Sequence, residues 1–338
     1  MTSVDRILRE ACGREFTAAV ARIEHRGSVL FERAYGMTRA DERARAVYVD
    51  TSFDLASLTK LFVATLLLRL VADGKLELDE PLAGVIPEWR SSPRRSITAR
   101  MLLDHTSGMN SGADYRAIFN ENVEDFALRS ALVATPGERV IYSDLGFIVI
   151  GVVLERVTRR SLAALTRHFS PSLTFRPRAA QRSKIPATEE DDWRGRVQGF
   201  VHDEKAYLMD GMAGHAGLFG TAADVAALTE CYLGPLDARP CTLLPEALVR
   251  EAISEQAYDP VLRRGLGWAL KTSDENSCGR YMDASSFGHT GFVGTCVWAD
   301  ASRDLQGVLL TNAVYFGRSG DLRDLRAAFY EAMVAEVS

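Results

Sequence analysis

The sequence has few features of a membrane, secreted or nucleic-acid-binding protein. Its first sixteen residues, MTSVDRILREACGREF, are charged throughout and lack the apolar segment of a secretory signal. The longest apolar runs, near Leu66 and Val149, are short and have charged residues close by, so they predict buried helices and no membrane span. The net charge of −5 gives no hint of nucleic acid or an anionic membrane as a partner. We therefore expect a cytoplasmic protein.

Cysteine motifs are also absent. The five cysteines are Cys12, Cys231, Cys241, Cys278 and Cys296. None of them forms a C-x-x-C motif or falls in a histidine-rich cluster, and an odd, scattered set argues against a disulfide framework and a structural zinc site. We expect reduced, mostly structural thiols, no bound metal and no organic cofactor.

The chain is long enough for one large domain or two closely packed ones, with 338 residues of which 47% are hydrophobic. The stretch FTAAVARIEHRGSVLFERAYG predicts two short strands around a turn at Arg26-Gly27. Helical patterns then dominate the chain. The predicted helices cover about 57–74, 99–103, 126–133, 145–158 and 222–232.

Strand patterns return near the C-terminus, in SSFGHTGFVGTCVWAD and LQGVLLTNAVYF, before a final helix at about 320–335. Strands at both ends with helices between them predict an α+β fold. One sheet would be built from both termini, and a helical region would be inserted between its two parts. Residues 170–198 are rich in Pro, Arg, Ser and acidic residues, so we expect an exposed excursion outside the core.

A serine and a lysine lie three residues apart in FDLASLTKLFVATLLLRL, residues 53 to 70. One helical turn places Ser57 and Lys60 on the same face. A serine hydroxyl becomes a good nucleophile only when a neighbour accepts its proton, which a lysine does if its pKa is lowered. The chain has five lysines, and only Lys60 has a serine three residues before it. The structural alternative is a capping serine followed by a solvated lysine.

Two later stretches supply possible partners for this pair. PGERVIYSDLGFIVIG places Tyr142 and Asp144 on a turn before a helix, and FGHTGFVGT places His289 on a strand. In this order the chain resembles the serine β-lactamase and penicillin-binding-protein superfamily, and most of all its class C-like branch, with S-x-x-K, Y-x-N and K/H-T-G motifs. LLDHTSGM and GHAGLF are further points of resemblance, which extends over nearly the whole chain.

The resemblance implies a β-lactamase/transpeptidase-like fold with an antiparallel sheet. Residues 1–55 and 255–338 would form an α/β sheet subdomain, and 56–254 would form a helical subdomain, with the active-site cleft between them. Ser57 would be the acylated nucleophile and Lys60 its base or proton partner.

The same resemblance assigns the remaining site residues. Tyr142 would pass a proton to the leaving group and later activate water. His289, Thr290 and Gly291 would line the substrate on their strand. The oxyanion hole would consist of the backbone N–H groups of Ser57 and Phe292, and such donors usually contribute strongly to catalysis.

Two positions depart from the family pattern. Asp144 replaces the asparagine of Y-x-N, and an ionised carboxylate cannot donate a hydrogen bond to a substrate amide. It should also hold Lys60 protonated, unless it only caps the following helix. His289 replaces the common lysine of K-T-G, which removes a permanent charge, and we expect this histidine to titrate between pH 5 and 8.

The sequence therefore predicts a serine hydrolase that acts through an acyl-enzyme on a small-molecule ester or amide, with small esters favoured. A D-alanyl-D-alanine carboxypeptidase, a weak β-lactamase and an acyltransferase are the alternatives within the fold. A catalytically silent binding or sensor protein is the alternative from another class, because fold does not fix function. The sequence gives no prediction of the oligomeric state.

Overall fold

The computed structural model describes residues 2–112, 114, 116–239 and 241–337. The helices are α1 Thr2–Ala11, α2 Thr59–Ala72, α3 Ala99–Leu103, α4 Val123–Arg129, α5 Asp144–Thr158, α6 Leu162–Thr166, α7 Ala179–Arg182, α8 Glu204–Leu208, α9 Ala222–Leu233, α10 Glu246–Ala252 and α11 Arg323–Ala335. The strands are β1 Ala18–His25, β2 Ser28–Gly36, β3 Phe53–Asp54, β4 Glu190–Asp191, β5 Gly195–Arg196, β6 Phe219–Gly220, β7 Arg263–Arg264, β8 Ala269–Leu270, β9 Phe287–Thr290, β10 Cys296–Asp300 and β11 Leu305–Thr311.

The main sheet takes its strands from both ends of the chain, in the order β2-β1-β11-β10-β9-β8-β7. All neighbouring strands are antiparallel. The first two are joined by a tight turn in which Arg26 and Gly27 both have left-handed backbone, with φ of 53° and 70°. Two such residues give the turn the twist that a hairpin needs. The predicted α+β fold, its sheet and this hairpin are confirmed.

Helices cover the two faces of the sheet, which explains why β1 and β11 are buried along nearly their whole length. Side chains on one face of β1, such as Ala21 and Ile23, pack with α1 and α11. Val20 on the opposite face joins the large core that includes α2, α5 and α9. This alternation follows from the two-residue period of a strand.

Helix α2 is surrounded by other elements, and every residue from Thr59 to Leu68 is buried. It packs against α5 and α6. Because no face of α2 meets solvent between Thr59 and Leu68, this part of its sequence is a nearly continuous apolar run without a polar stripe. Lys60 is the exception in this run, and the surrounding packing removes its side chain completely from solvent.

Two expectations about the periphery of the fold are wrong. Residues 170–198 are not an exposed excursion, since Leu173 and Phe175 belong to the main core and Ile185 to a smaller one. Asn312 also donates a hydrogen bond of 2.7 Å to the carbonyl of Ala187. The composition of the segment is polar, but its few apolar residues are buried by partners far away in sequence. The N-terminal helix α1 was not predicted, although its Val4 and Leu8 are buried.

The strands of the main sheet come from 18–36 and 263–311, and α2 to α10 lie between them in sequence. The division into two subdomains at residues 55 and 255 stays our proposal. Across the described ranges, the structure has no helix of the length and apolar character that a bilayer span requires. All five cysteines lie in described positions and are free thiols.

Candidate active site

The first residue of the candidate site, Ser57, lies in a short 3-10 turn that leads from β3 into α2. Ala56 before it has a left-handed backbone, with φ of 46°, which an alanine adopts only under constraint. The constraint comes from buried Asp54, whose side chain accepts hydrogen bonds from the backbone N–H of Ala56 at 2.8 Å and of His202 at 2.7 Å. Asp54 therefore fixes the turn that presents the serine, a role that we did not predict.

Ser57, Lys60 and Tyr142 meet in a compact triangle. The ammonium of Lys60 donates to the hydroxyl oxygen of Ser57 at 3.0 Å. The hydroxyl of Tyr142, from the turn before α5, lies 3.1 Å from the same oxygen and donates to it. A second Lys60 hydrogen bond, of 3.1 Å, goes to the carbonyl of His215. The structure thus brings together two candidates from α2 with a third that is 85 positions away in sequence.

Asp144 lies 2.9 Å from the ammonium of Lys60 through its Oδ1 atom. Burial by itself would lower the pKa of Lys60, but the charge of Asp144 and the nearby Tyr142 raise it above its ordinary value. Lys60 is therefore protonated at neutral pH and is a hydrogen-bond donor to Ser57. The alternative of a solvated lysine is wrong, because the Lys60 side chain is 0% exposed.

The helix-cap interpretation of Asp144 is also wrong. Ser143 is the N-cap of α5, and its hydroxyl oxygen accepts from the backbone N–H of Gly146 at 2.9 Å. The same hydroxyl donates to the carbonyl of Asn110 at 2.6 Å. The carboxylate of Asp144 is therefore left to interact with the lysines of the site.

The ion pair continues into a network that we did not predict from the sequence. Asp144 Oδ2 lies 3.4 Å from Lys205, and Lys205 lies 3.3 Å from Asp203. Asp203 in turn contacts Nε2 of His215 at 2.8 Å. Burial would raise the pKa of both carboxyl groups, but the lysines and His215 hold it below the ordinary value. The only sequence signal was the rarity of lysine, of which Lys205 is one of five.

Three members of this network have the donor types of a metal site. The ligand atoms of Asp144, Asp203 and His215 lie within 4.8 Å of one another. Both carboxylates are already neutralised by Lys60 or Lys205. Because a divalent cation would have to displace these ammonium groups, the donor set fits an ion-pair network better than a metal centre.

His289 lies on β9 with its ring 6.1 Å from the ring of Tyr142. Its Nδ1 atom donates to the carbonyl of Thr290 at 2.8 Å. Burial lowers the pKa of His289 to about 3, and the positive charges of Lys60 and Arg264 act in the same direction. The expectation that His289 titrates between pH 5 and 8 is therefore wrong, since the ring is neutral over that whole range.

We predict from this that His289→Gln leaves the pH dependence of kcat/KM between pH 5 and 8 in place, although the rate itself changes. Both side chains are neutral over that interval, so the substitution removes no titrating group. The measurement is the kcat/KM profile for p-nitrophenyl acetate in both proteins. Disappearance of a wild-type inflection in the Gln variant would show that the histidine does titrate there.

Gly291 allows the end of β9 to lie directly beside the turn that carries Ser57. A Cβ atom at this position would meet Thr295 Oγ1 at 2.1 Å and the carbonyl of Leu55 at 3.0 Å. The following residue, Phe292, is 57% exposed and borders a cleft of about 500 Å³. Ser57, Tyr142, Thr290 and Gly291 also line this cleft. It is large enough for a small organic substrate.

Comparisons with known proteins show the family to which the chain belongs. The Beta-lactamase family model matches residues 4–332. The chain is 31% identical to Esterase EstB of Burkholderia gladioli, over 96% of this chain and 93% of the relative. It is 27% identical to N-acetylmuramyl-L-alanine amidase of Bacillus subtilis (strain 168), over 92% of this chain and 80% of the relative. A class C β-lactamase structure from Rhodobacter sphaeroides superimposes with a TM-score of 0.79 at 18% identity, with 100% of both chains covered.

The chain therefore belongs to the β-lactamase family. It is a serine hydrolase of the type that this family and the penicillin-binding proteins share.

Proposed function

We propose that the protein hydrolyses small esters through an acyl-enzyme formed on Ser57. The hydroxyl of this residue attacks the ester carbonyl, and its proton passes to Tyr142, which must first have lost the proton that it donates to Ser57 in the resting site. The protonated Lys60 stays in place as a donor that orients the serine oxygen. The hydrogen bonds that join the three side chains, of 3.0 and 3.1 Å, support this assignment.

The two halves of the reaction then follow by proton return. Tyr142 gives its proton to the departing alkoxide, which leaves as an alcohol, and the acyl group remains on Ser57. In the second half, Tyr142 takes a proton from a water molecule that attacks the acyl-enzyme. Tyr142 then passes this proton to the oxygen of Ser57 as the acyl–serine bond breaks, and the carboxylic acid leaves. We assign the oxyanion donors to the backbone N–H groups of Ser57 and Phe292, because both residues border the same cleft. Thr290 and Gly291 line the substrate along β9.

The preference for esters depends on one observation, the pairing of Asp144 with two lysines. An asparagine at this position could donate to the carbonyl of an acylamino group, whereas an ionised carboxylate only accepts. Lys60 and Lys205 keep Asp144 ionised, because they hold its pKa below the ordinary value. The similarity to an esterase supports the same preference.

Amide hydrolysis is the second candidate, and Lys205 is the observation that favours it. Its ammonium lies beside Asp144 and could donate a hydrogen bond where the family has an asparagine. The similarity to an amidase agrees with this alternative. A carboxypeptidase, a weak β-lactamase and an acyltransferase would use the same acyl-enzyme. The first two would differ in the amide bond that Ser57 attacks, and the acyltransferase would differ in the molecule that receives the acyl group.

Asp144→Asn tests the preference. We expect this variant to raise kcat/KM for a penicillin-type amide, relative to p-nitrophenyl butyrate, by about tenfold, which is the size of one added hydrogen bond. The quantity to compare is the ratio of the two kcat/KM values before and after the substitution. Taking the ratio cancels any general loss of activity that arises when Lys60 loses its ionised partner.

Asp203→Asn is the matched control, because Asp203 also pairs with Lys205 but does not contact Lys60. Its ratio of amide to ester hydrolysis should stay at the wild-type value, even if the variant is less stable. An unchanged ratio in Asp144→Asn as well would remove the main support for ester preference. A wild-type protein that already prefers muramyl-L-alanine amides to p-nitrophenyl esters would favour the second candidate.

A further inference from the structure

Arg264 is a buried cation that the mechanism above does not use. It lies on the edge strand β7 and is 9% exposed. Its guanidinium carbon is 5.4 Å from the centre of the Tyr142 ring. Among the residues that the structure describes, no carboxylate forms a salt bridge with Arg264, and its Nε atom has no hydrogen-bond partner.

Such a side chain is costly for the fold. Removing a guanidinium from water without a carboxylate partner is unfavourable, and burial lowers the pKa of Arg264 without making it neutral. Asp259 is the acidic residue whose negative charge acts on Arg264. Its Oδ1 atom, however, accepts hydrogen bonds from the backbone N–H groups of Val261 and Leu262. A buried charge with so little compensation is typical of a functional site.

The other groups around Tyr142 cannot take the place of this charge. The ammonium of Lys60 lies 5.0 Å from the ring centre, but Asp144 offsets its charge. The rings of His105 and His289 lie 4.6 and 6.1 Å away. Burial and the neighbouring cations lower the pKa of both histidines, so both are neutral at pH 7.

A side cavity of about 330 Å³ is lined by Tyr142, His289 and Arg264. Two more charged side chains, Arg323 and Glu275, lie on the walls of the cavity. Arg323 lies 3.6 Å from Asp324. The side chains of Arg323 and Asp324 are largely exposed, so solvent screens their charges. Arg264 is thus the buried charge beside Tyr142 that no carboxylate in the described ranges offsets.

We propose that Arg264 is a positioning residue that supplies the fixed positive charge beside Tyr142, the charge that a lysine at position 289 would supply in K-T-G. The inference rests on the proposed role of Tyr142 as proton acceptor. A positive charge beside the ring would stabilise the negative charge that the oxygen of Tyr142 carries when it acts as proton acceptor. It acts through the tyrosine and needs no contact with substrate. The neutral His289 is then tolerated because Arg264, on β7, provides the positive charge that the lysine of K-T-G would carry.

The test uses two neutral variants of the full chain, Arg264→Gln and Arg264→Met. The proposed reaction needs Tyr142 without its proton, so kcat/KM should fall on the acid side of its pH profile. Without the cation, the acid limb of kcat/KM should move to higher pH by about one unit or more, which lowers the rate below the limb by about tenfold. The loss should appear in kcat more than in KM for a p-nitrophenyl ester. The near-ultraviolet absorbance of tyrosinate is measured for each protein and for the same protein with Tyr142→Phe, and the second value is subtracted from the first. The pH dependence of this difference should shift together with the acid limb.

Stability separates this proposal from a purely structural role. Because Arg264 is buried without a carboxylate partner, both neutral variants should melt at the wild-type temperature or above it. The double variant Arg264→Gln/His289→Lys should bring the acid limb back toward its wild-type position, since it restores a cation next to Tyr142. Arg264→Lys, which keeps the charge, should stay closer to the wild type than the Gln variant.

The proposal is overturned if the acid limb and the tyrosinate titration stay in place in Arg264→Gln. It is also overturned if both neutral variants lose their fold or melt at much lower temperature, because Arg264 would then be a structural residue. Tyr142→Phe distinguishes these outcomes from a failure of the proposed mechanism. If Tyr142→Phe keeps most of the activity, the role of the tyrosine itself is wrong. If Tyr142→Phe is inactive but Arg264→Gln keeps the wild-type limb, only the present inference fails.

Discussion

Ser57→Ala should remove nearly all ester hydrolysis while the chain still folds. In the proposed mechanism the hydroxyl of Ser57 forms the covalent bond, and replacing a nucleophile of this kind typically lowers kcat by about 10⁴- to 10⁶-fold. Ser57 borders the open cleft, so removing one oxygen leaves no enclosed cavity. Lys60 keeps its ion pair with Asp144 and its hydrogen bond to His215. The measurement is kcat for p-nitrophenyl butyrate together with the melting temperature.

Ser107→Ala is a suitable control for this experiment. Ser107 is also close to a backbone turn and is buried, but its hydroxyl interacts with the N–H of Met109 and not with Lys60 or Tyr142. Its activity should remain near that of the wild type. A fluorophosphonate probe should label the peptide that contains Ser57 and should fail to label the Ala variant. Substantial turnover by purified Ser57→Ala, or labelling at another serine, would falsify the assignment of the nucleophile.

The parts of the site that local geometry controls could be predicted from sequence. Ser57 and Lys60 are three residues apart at the start of a helix, so helical spacing alone places them together. The structure gives 3.0 Å between their polar atoms. Tyr142 and His289 could be found only through resemblance to a family, because no local pattern connects residues so far apart in the chain.

The rest of the site depends on tertiary contacts that have no local signal. Lys205 and Asp203 belong to the five-residue helix α8 and its N-cap, and nothing in their neighbourhood indicates that they approach Asp144. Arg264 lies on a two-residue edge strand, where an arginine is ordinarily a solvated side chain. The protonation of His289 likewise depends on burial and on two cations from other elements, so residue type alone predicted it wrongly.

The same distinction holds for the fold. The hairpin at Arg26-Gly27 was predictable because strand patterns and turn residues are adjacent in sequence. Segment 170–198 was not, because the partners that bury it lie elsewhere, for example Asn312 after β11. Helix α1 was missed for a related reason. Its apolar side is narrow, and the helix is stabilised mainly by packing against α11 from the other end of the chain.

Lys60→Met should be almost as damaging to turnover as the loss of the nucleophile, and it should also destabilise the fold. The substitution removes the donor to Ser57 and the main positive charge at Asp144. Breaking a buried ion pair by removing one partner costs about 3–5 kcal/mol. Lys205 still contacts Asp144 at 3.4 Å, so we expect the lower end of that range or somewhat less. The measurements are kcat for an ester and the free energy of unfolding in urea.

The pH dependence of the loss gives a second readout. In the wild type the pKa of Asp144 is lower in the folded chain than its ordinary value, which applies to the unfolded chain. The ionised carboxylate therefore stabilises the fold when the pH is above the pKa of the unfolded chain. This contribution disappears as the pH falls through the pKa of the folded chain. In Lys60→Met burial dominates and the pKa of Asp144 should rise. The variant can then protonate Asp144 under mild acid, where the neutral carboxyl needs no cation. The difference in unfolding free energy between the two proteins should therefore be largest near neutral pH and should shrink toward about pH 4.

Two further variants separate the electrostatic role of Lys60 from its chemical role. Lys60→Met/Asp144→Asn removes both charges, so it should recover much of the unfolding free energy at neutral pH but none of the turnover, since the donor to Ser57 is still missing. Lys205→Met removes the second positive charge beside Asp144 and leaves the hydrogen bonds of Ser57 in place. This variant should therefore lose stability yet keep far more activity than Lys60→Met. If the double variant regained turnover, Lys60 would act only by neutralising Asp144. If Lys205→Met were as inactive as Lys60→Met, the charge balance of the whole network, and not the hydrogen bond to Ser57, would control the reaction.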